Sequence, residues 1–310
     1  MAKGNARGIF KLKEAYEEQL STPTNWTSLD DAWVMPDTHI VASWDYGYYC
    51  SGNSNTRVDR LDFTADTEMV TRGYTFSSGP DDGGLSSPSS GYMWGTGNPA
   101  YTPSPGAYYQ KLNYSDDTVI LTPGVTLGSP ISKNYTQLAV GTASYGYTLY
   151  GRNLYKFDYS SDTSQWTEIK ANSAAVNANV GYGAVGNQSY SYWCIGPNPY
   201  SAIDRLDYSS DTTAMAPKGP LVVSNRGWGF HSGNADYGWW AGGGPGFTGP
   251  NTDVQRIDYS SDTSTASARG NLTQSGCAGG GNGNSQGMWI ARYFNSGTVQ
   301  KIDYSQDMAT

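Results

Sequence analysis

Histidine and cysteine are scarce in this chain, whose 310 residues include two histidines and three cysteines. His39 and His231 lie far apart in the sequence. Two such residues do not indicate a Ser-His-Asp triad or a metal site with several histidine ligands. We interpret both histidines as strand or loop residues. Cys50, Cys194 and Cys277 form an odd set without a close pair, which favours buried free thiols over a disulfide framework.

Charged residues are also few, at 15% of the chain, and the formal net charge is −8. Nucleic-acid binding needs a basic surface, so this composition argues against it. No run of 18 apolar residues occurs, so no membrane span is predicted, and the opening segment lacks the apolar stretch of a secretory signal. The glycine run at 241–250 is followed by no lysine and no helix, so it predicts no phosphate-binding loop. No cofactor is expected.

The chain is instead rich in glycine and tyrosine and contains a repeated eight-residue motif. RLDYSSDT occupies residues 205–212 and RIDYSSDT occupies 256–263. Four further copies are RLDFTADT (60–67), KLNYSDDT (111–118), KFDYSSDT (156–163) and KIDYSQDM (301–308). Successive copies are 51, 45, 49, 51 and 45 residues apart. A regular period in this range indicates a solenoid, a propeller or an array.

Each repeat is predicted to consist of strands. In the fourth copy Leu206 and Tyr208 alternate with Arg205 and Asp207, which is the period of a β-strand. The Ser-Ser-Asp-Thr that follows predicts a tight turn. An aromatic segment ending in glycines lies upstream of each motif, as in YGWWAGGG at 237–244. Four short strands per period predict a propeller blade, so the sequence predicts an all-β, six-bladed propeller.

The aspartates of the motif allow two interpretations. A ring of metal sites is one, but the recurrence of the residue in nearly every copy favours a structural role, because a catalytic residue is needed only once. Arg205 and Asp207 are expected to pair along one strand, while Asp211 is expected to cap its own turn. The residues assigned a structural role in the repeat turns are Asp62, Asp158, Asp207, Asp258 and Asp303. No catalytic or metal-binding residue is assigned, and the chain is not expected to be an enzyme.

Aromatic side chains and loops also have two interpretations, packing and ligand binding. Four tryptophans fall in repeat strands and are expected to pack between blades: Trp94, Trp193, Trp239 and Trp240. The irregular segments at 79–91, 98–108 and 196–202 differ between repeats and are better candidates for ligand contact.

The N-terminal segment stands apart from the repeats. Ile9, Leu12, Tyr16 and Leu20 follow helical spacing, and a helix this short is marginal alone in water. Together with Phe10 they form the expected assembly surface of a docking arm, residues 1–28, with the propeller at 29–310. The last repeat is expected to end without its outer strand, and a strand near 32–36 is expected to complete that blade.

The repeats resemble kelch-type blades in having a glycine-ended strand before the motif strand. The sequence IDYSSDT, together with the preceding strand rich in Tyr, Trp and Gly, resembles repeat proteins of marine bacteriophages, notably phages of cyanobacteria. The segment RGIFKLKEAYEEQL (7–20) resembles the N-terminus of the same group.

This resemblance implies a virion structural protein, tail- or fibre-associated and assembled in the host cytoplasm. It implies attachment to other virion proteins through residues 1–25 and makes host surface glycans a candidate ligand of the propeller. The alternatives are a head decoration protein and a glycan-active propeller enzyme.

Overall fold

The structure is a computed structural model that describes sixteen stretches of the chain, all within the compact unit Val34–Thr310. They are residues 46–50, 58–65, 70–71, 83–95, 108–126, 139–150, 153–161, 166–171, 183–194, 201–222, 229–243, 251–275, 279–284, 286–292, 299–306 and 308–309. The proposed arm, with Ile9, Phe10, Leu12, Tyr16 and Leu20, lies outside the described residues.

The described stretches contain 23 strands in six antiparallel sheets, each a meander of consecutive strands. The first sheet contains β1 (Tyr46–Cys50), β2 (Val58–Asp62) and β3 (Val70–Thr71). The second contains β4 (Gly83–Ser86), β5 (Ser90–Gly95), β6 (Tyr108–Asn113) and β7 (Thr118–Thr126). The third contains β8 (Ala139–Gly141), β9 (Tyr145–Tyr150), β10 (Asn153–Asp158) and β11 (Thr167–Ala171).

The remaining three sheets repeat the four-strand pattern. The fourth contains β12 (Ala184–Gly186), β13 (Tyr190–Cys194), β14 (Ile203–Asp207) and β15 (Ala216–Lys218). The fifth contains β16 (Phe230–Gly233), β17 (Tyr237–Ala241), β18 (Asp253–Asp258) and β19 (Ser267–Asn271). The sixth contains β20 (Gly279–Gly283), β21 (Gly287–Arg292), β22 (Val299–Asp303) and β23 (Met308–Ala309).

Successive side chains of a strand point to opposite faces of its sheet, and the motif strand has apolar residues on both faces. In β14, Ile203 lies in a core cluster with Trp240 and Ile257 of the fifth sheet. Leu206 lies in a different cluster, with Val140 of the third sheet. The fourth sheet is therefore buried between its two neighbours, as a blade packs in a propeller.

Neighbouring sheets also meet along their first strands. Contacts join β4 to β8, β8 to β12, β12 to β16 and β16 to β20. Leu61 and Leu112 share a core cluster between the first and second sheets. The sixth sheet returns to the first, because β20 contacts β1 and the Tyr49 hydroxyl donates to the Trp289 carbonyl oxygen at 3.0 Å. The arrangement is that of an all-β propeller.

Helical backbone is almost absent from the described stretches, where three motif turns form single-turn 3-10 helices at Tyr159–Ser161, Tyr208–Ser210 and Tyr259–Ser261. Within the part of the chain that the structure describes, no helix has the length and apolar character to cross a membrane.

The outer edge of the sixth sheet corrects one expectation. β23 pairs with β22, with Ala309 opposite Ile302 and Met308 opposite Asp303. The tight turn after Asp303 lets the chain fold straight back, so the last repeat supplies its own two-residue outer strand. The segment near 32–36 that was expected to complete this sheet lies outside the described residues.

Three of the four tryptophans have described side chains, and all three are buried. Trp193 packs in the cluster shared by the third and fourth sheets, Trp240 in that of the fourth and fifth, and Trp239 in that of the fifth and sixth. The side chain of Trp94 lies outside the described set.

One cysteine and one histidine can be placed as well. Cys194 is buried and forms no disulfide, and His231 is buried on β16. The side chains of Cys50, Cys277 and His39 lie outside the described set.

Candidate functional site

The third residue of the motif caps its own turn. Asp207 Oδ1 accepts hydrogen bonds from the Ser209 amide at 2.9 Å and from Ser209 Oγ at 2.6 Å. The same two-bond cap recurs at Asp158, Asp258 and Asp303, and Asp62 makes it with Thr64. The hydrogen bond from the serine or threonine hydroxyl is the largest cause of the lowered pKa of these five carboxyls. A carboxylate held in this way rigidifies the turn.

The seventh residue of the motif forms a different contact, which joins two sheets. Asp262 Oδ2 accepts from Arg205 Nη1 at 2.7 Å and from the Tyr192 hydroxyl at 2.9 Å, and both donors belong to the preceding sheet. Lys218 Nζ lies 3.0 Å from Asp262 Oδ1. Burial opposes ionisation of Asp262, but these donors outweigh it and lower its pKa. We call this Asp–base–hydroxyl contact the intersheet latch.

The latch recurs at two other described interfaces. Asp211 accepts from Lys156 Nζ at 2.7 Å and from the Tyr147 hydroxyl at 3.0 Å. Asp117 accepts from Arg60 Nη1 at 2.6 Å and also from the hydroxyl of Tyr48. In each case the base and the tyrosine come from the sheet before the aspartate.

These contacts correct the assignment made from the sequence, because the two aspartates exchange roles. Asp207 was expected to pair with Arg205, but its carboxylate caps the turn. Asp211 was expected to cap the turn, but it binds the base of the previous repeat. Arg205 reaches forward to Asp262 instead.

Aromatic stacking occurs at every junction between consecutive sheets, including the three that carry a described latch. The fourth motif residue lies against a ring from the preceding sheet, at the third position of the strand before the motif strand, with centroids 3.7–5.5 Å apart. The pairs are Tyr48–Tyr114, Tyr92–Tyr159, Tyr147–Tyr208, Tyr192–Tyr259, Trp239–Tyr304 and Trp289–Phe63. Stacked rings of this kind contribute about 0.5–1.5 kcal/mol beyond the area they bury.

Burial governs the tyrosine hydroxyls of the latch. Burial is the largest cause of the raised pKa of Tyr48, Tyr147 and Tyr192, and the neighbouring aspartate is a smaller one. These groups therefore stay protonated and act as hydrogen-bond donors. The arrangement stabilises the interface between two sheets.

The motif base is also covered by an aromatic ring. In four sheets the strand before the motif strand begins with a tyrosine, and the base lies 3.9–4.3 Å from the centroid of that ring. These pairs are Arg60–Tyr46, Lys156–Tyr145, Arg205–Tyr190 and Arg256–Tyr237. Cation–π contacts of this kind hold the base in place for the latch.

Two sheets lack this covering ring. Ser90 begins the second strand of the second sheet and Gly287 begins that of the sixth. In both sheets the base is a lysine, and it lies over the aromatic ring two residues further along that same strand. Lys301 Nζ is 4.7 Å from the Trp289 centroid, and Lys111 Nζ is 5.7 Å from that of Tyr92.

An open, polar depression of about 510 Å³ lies beside Lys301, between the turns of the fifth and sixth sheets. It is lined by Asn234, Gln286, Lys301, Asp303, Tyr304 and Ser305. None of these residues was assigned a ligand role from the sequence.

The loops predicted as ligand candidates are only partly described. Within 79–91, Gly83–Ser86 is not a loop but the strand β4, whose Leu85 is fully buried. Of 98–108 only Tyr108 is described, and of 196–202 only residues 201 and 202. Among the described residues, no group of three or more His, Cys, Asp or Glu side chains is placed to hold a metal ion.

Comparisons with known proteins support the fold. No protein-family model matches the chain, and no curated protein matches it. One similar solved structure, titled "Structure of YjhT", is 17% identical, with a TM-score of 0.62 over 89% of this chain and 97% of that one. At this identity the similarity shows the fold alone, and it confirms the predicted all-β propeller class.

Proposed function

We propose that the chain is a six-bladed, kelch-like propeller that serves as a structural, glycan-binding protein of a phage virion. The observation that carries the structural part is the intersheet latch. Its three described carboxylates bind bases and hydroxyls of the neighbouring sheet, and five other described motif carboxylates cap their own turns. These aspartates therefore stabilise the scaffold that presents the loops.

Six blades are supported by six motif copies and by the six sheets of the described residues, each in contact with the next. The kelch-like character rests on the period of 45–51 residues and on the strand with glycine at or just after its end that precedes five of the six motifs. A tail or fibre position rests on the resemblance of IDYSSDT and of residues 7–20 to marine phage proteins. The arm, residues 1–28, is the proposed attachment to other virion proteins.

A non-enzymatic role is part of the proposal. Among the described carboxyls, that of Asp204 has a pKa raised by burial, which is a property of general acids. It lies on β14 opposite Trp193, between packed sheets, and a glycosidase needs two carboxyls flanking its substrate. We expect no release of reducing sugars from host polysaccharide by the protein. Release that is abolished by Asp204→Asn would instead identify an enzyme.

Glycan binding is tested on the full chain. Fluorescently labelled protein should bind host cells, and purified host surface polysaccharide should compete for that binding. Mild periodate oxidation of the cells should remove it, whereas protease treatment should not. Binding that survives periodate but is lost after protease treatment would point to a protein receptor and contradict the proposal.

A further inference from the structure

Gly287 occupies a position that carries a tyrosine ring in four other sheets. The strand registers make this equivalence direct: Tyr237 is opposite Asp258 in the fifth sheet, and Gly287 is opposite Asp303 in the sixth. In the fifth sheet that ring lies 4.1 Å from the guanidinium of Arg256. In the sixth sheet, the base at the equivalent position, Lys301, lines the depression.

The glycine marks where the missing ring would begin. A β-carbon placed on Gly287 would lie 3.5 Å from Lys301 Cε and 2.7 Å from the carbonyl oxygen of Ile302. A side chain there would thus start beside the lysine, and the strand would have to shift to accept it, because the atom 2.7 Å away is a backbone carbonyl oxygen. The depression of about 510 Å³ is lined by this lysine and by Gln286, the residue that precedes the glycine.

We propose that this depression binds a pyranose ring, which takes the place of the missing tyrosine. The inference rests on the proposed glycan-binding function and gives it a location. A pyranose is similar in footprint to a phenol ring, and the volume lies within the range of small-ligand sites.

The lining favours a sugar over an aromatic ligand. Asn234 and Gln286 bear amides and Lys301 an ammonium, and beside them lie the Asp303 carboxylate and the Ser305 hydroxyl, which share one hydrogen bond, so the space is bordered by polar groups of both kinds. The many hydroxyls of a sugar can pair with both kinds of group. A purely aromatic ligand would remove the water that bonds to these groups and would offer no hydrogen bonds in its place, which is unfavourable.

The test uses saturation-transfer NMR on the full chain. The probes are free glucose, galactose, mannose, N-acetylglucosamine and glucuronic acid, with p-cresol as the aromatic comparison. Gly287→Tyr supplies the ring that four other sheets carry. Gln286→Ala removes one lining amide and keeps the backbone hydrogen bonds of this residue to Asn284 and Tyr304. Ser90→Tyr is the matched control, because it adds the same ring to the other sheet that lacks one.

We expect at least one sugar to bind, Gly287→Tyr and Gln286→Ala each to weaken it by roughly tenfold or more, and Ser90→Tyr to leave it unchanged. If Gly287→Tyr does not fold by thermal melting, Gln286→Ala decides the result. Sugar binding that persists in these variants would place the site elsewhere and leave the glycan function standing. Absence of sugar binding would overturn both the glycan-binding function and this binding site. Binding of p-cresol alone would show that the ligand is aromatic and not a sugar.

Discussion

The guanidinium of Arg205 lies 2.7 Å from the carboxylate of Asp262, which follows it by 57 residues and belongs to the next sheet. This ion pair bridges two repeats, although each partner stands in the same short motif of its own repeat. The side chains are 25% and 9% exposed, so solvent screens the pair only in part.

Removing Asp262 should destabilise the propeller. Asp262→Ala leaves Arg205, Lys218 and Tyr192 without their shared acceptor, and the free energy of unfolding should fall by about 1–3 kcal/mol. Urea denaturation measures the change. Asp236→Ala, at an exposed turn residue, is the matched control and should cost much less. A double-mutant cycle with Arg205→Ala that gives no coupling would show that the pair contributes nothing.

Acid should destabilise the protein in a defined window. The turn carboxyls and Asp262 have a lowered pKa in the folded state, so the folded chain binds fewer protons than the unfolded one. Their contribution is present above the unfolded pKa of about 4 and is lost as the pH falls through the lower folded values. The melting temperature should therefore be nearly constant between about pH 7 and 5 and should drop below about pH 4. Asp262→Asn should make that drop shallower, and an unchanged slope would contradict this account.

The hydroxyl of Tyr259 should be dispensable whereas its ring is not. The ring stacks on Tyr192 with centroids 4.7 Å apart, and among the described residues its buried hydroxyl has no hydrogen-bond partner. Tyr259→Phe should leave stability within about 0.5 kcal/mol or raise it, and Phe63 already fills this place in the first sheet. Tyr259→Ala should cost about 3–5 kcal/mol in a denaturant titration. A large loss with phenylalanine would reveal a partner for the hydroxyl.

The arm prediction concerns residues that the structure does not describe. Substituting Leu12 and Tyr16 with Asp places charges in the predicted apolar face, which should remove the protein from particles while the isolated chain keeps its melting temperature. Mass spectrometry of purified particles gives the amount incorporated, and Glu14→Gln with Glu17→Gln serves as a charge-altering control. Normal incorporation of the double Asp variant would mean that attachment runs through the propeller.

The sequence predicted the repeat, the strand and the turn, because alternation and turn residues are local signals. The partner of Asp262 was not local, because Arg205 stands 57 residues earlier in the chain. Arg205 and Asp207 are two residues apart, but Asp207 sits at the strand end, where the Ser209 amide and hydroxyl take its carboxylate. The recurrence of aspartate at the seventh motif position in all six copies was the available signal for a second, intersheet role.

The depression beside Lys301 escaped prediction for a related reason. It lies in a sheet where glycine stands at the position that carries a ring in four others, and this difference is recognised only after the strand registers align Gly287 with Tyr237. The outer strand β23 was missed because Met308–Ala309 is too short to give a period.

The latch also gives the fourth sheet a polarity. At the three described latches the donors lie on the earlier sheet and the acceptor on the later one, and the fourth sheet accepts through Asp211 on one side and donates through Arg205 on the other. Interfaces of this head-to-tail kind close into a ring or continue as an open chain. A fragment cut between blades would expose two complementary ends, and its copies would therefore join one another rather than remain single.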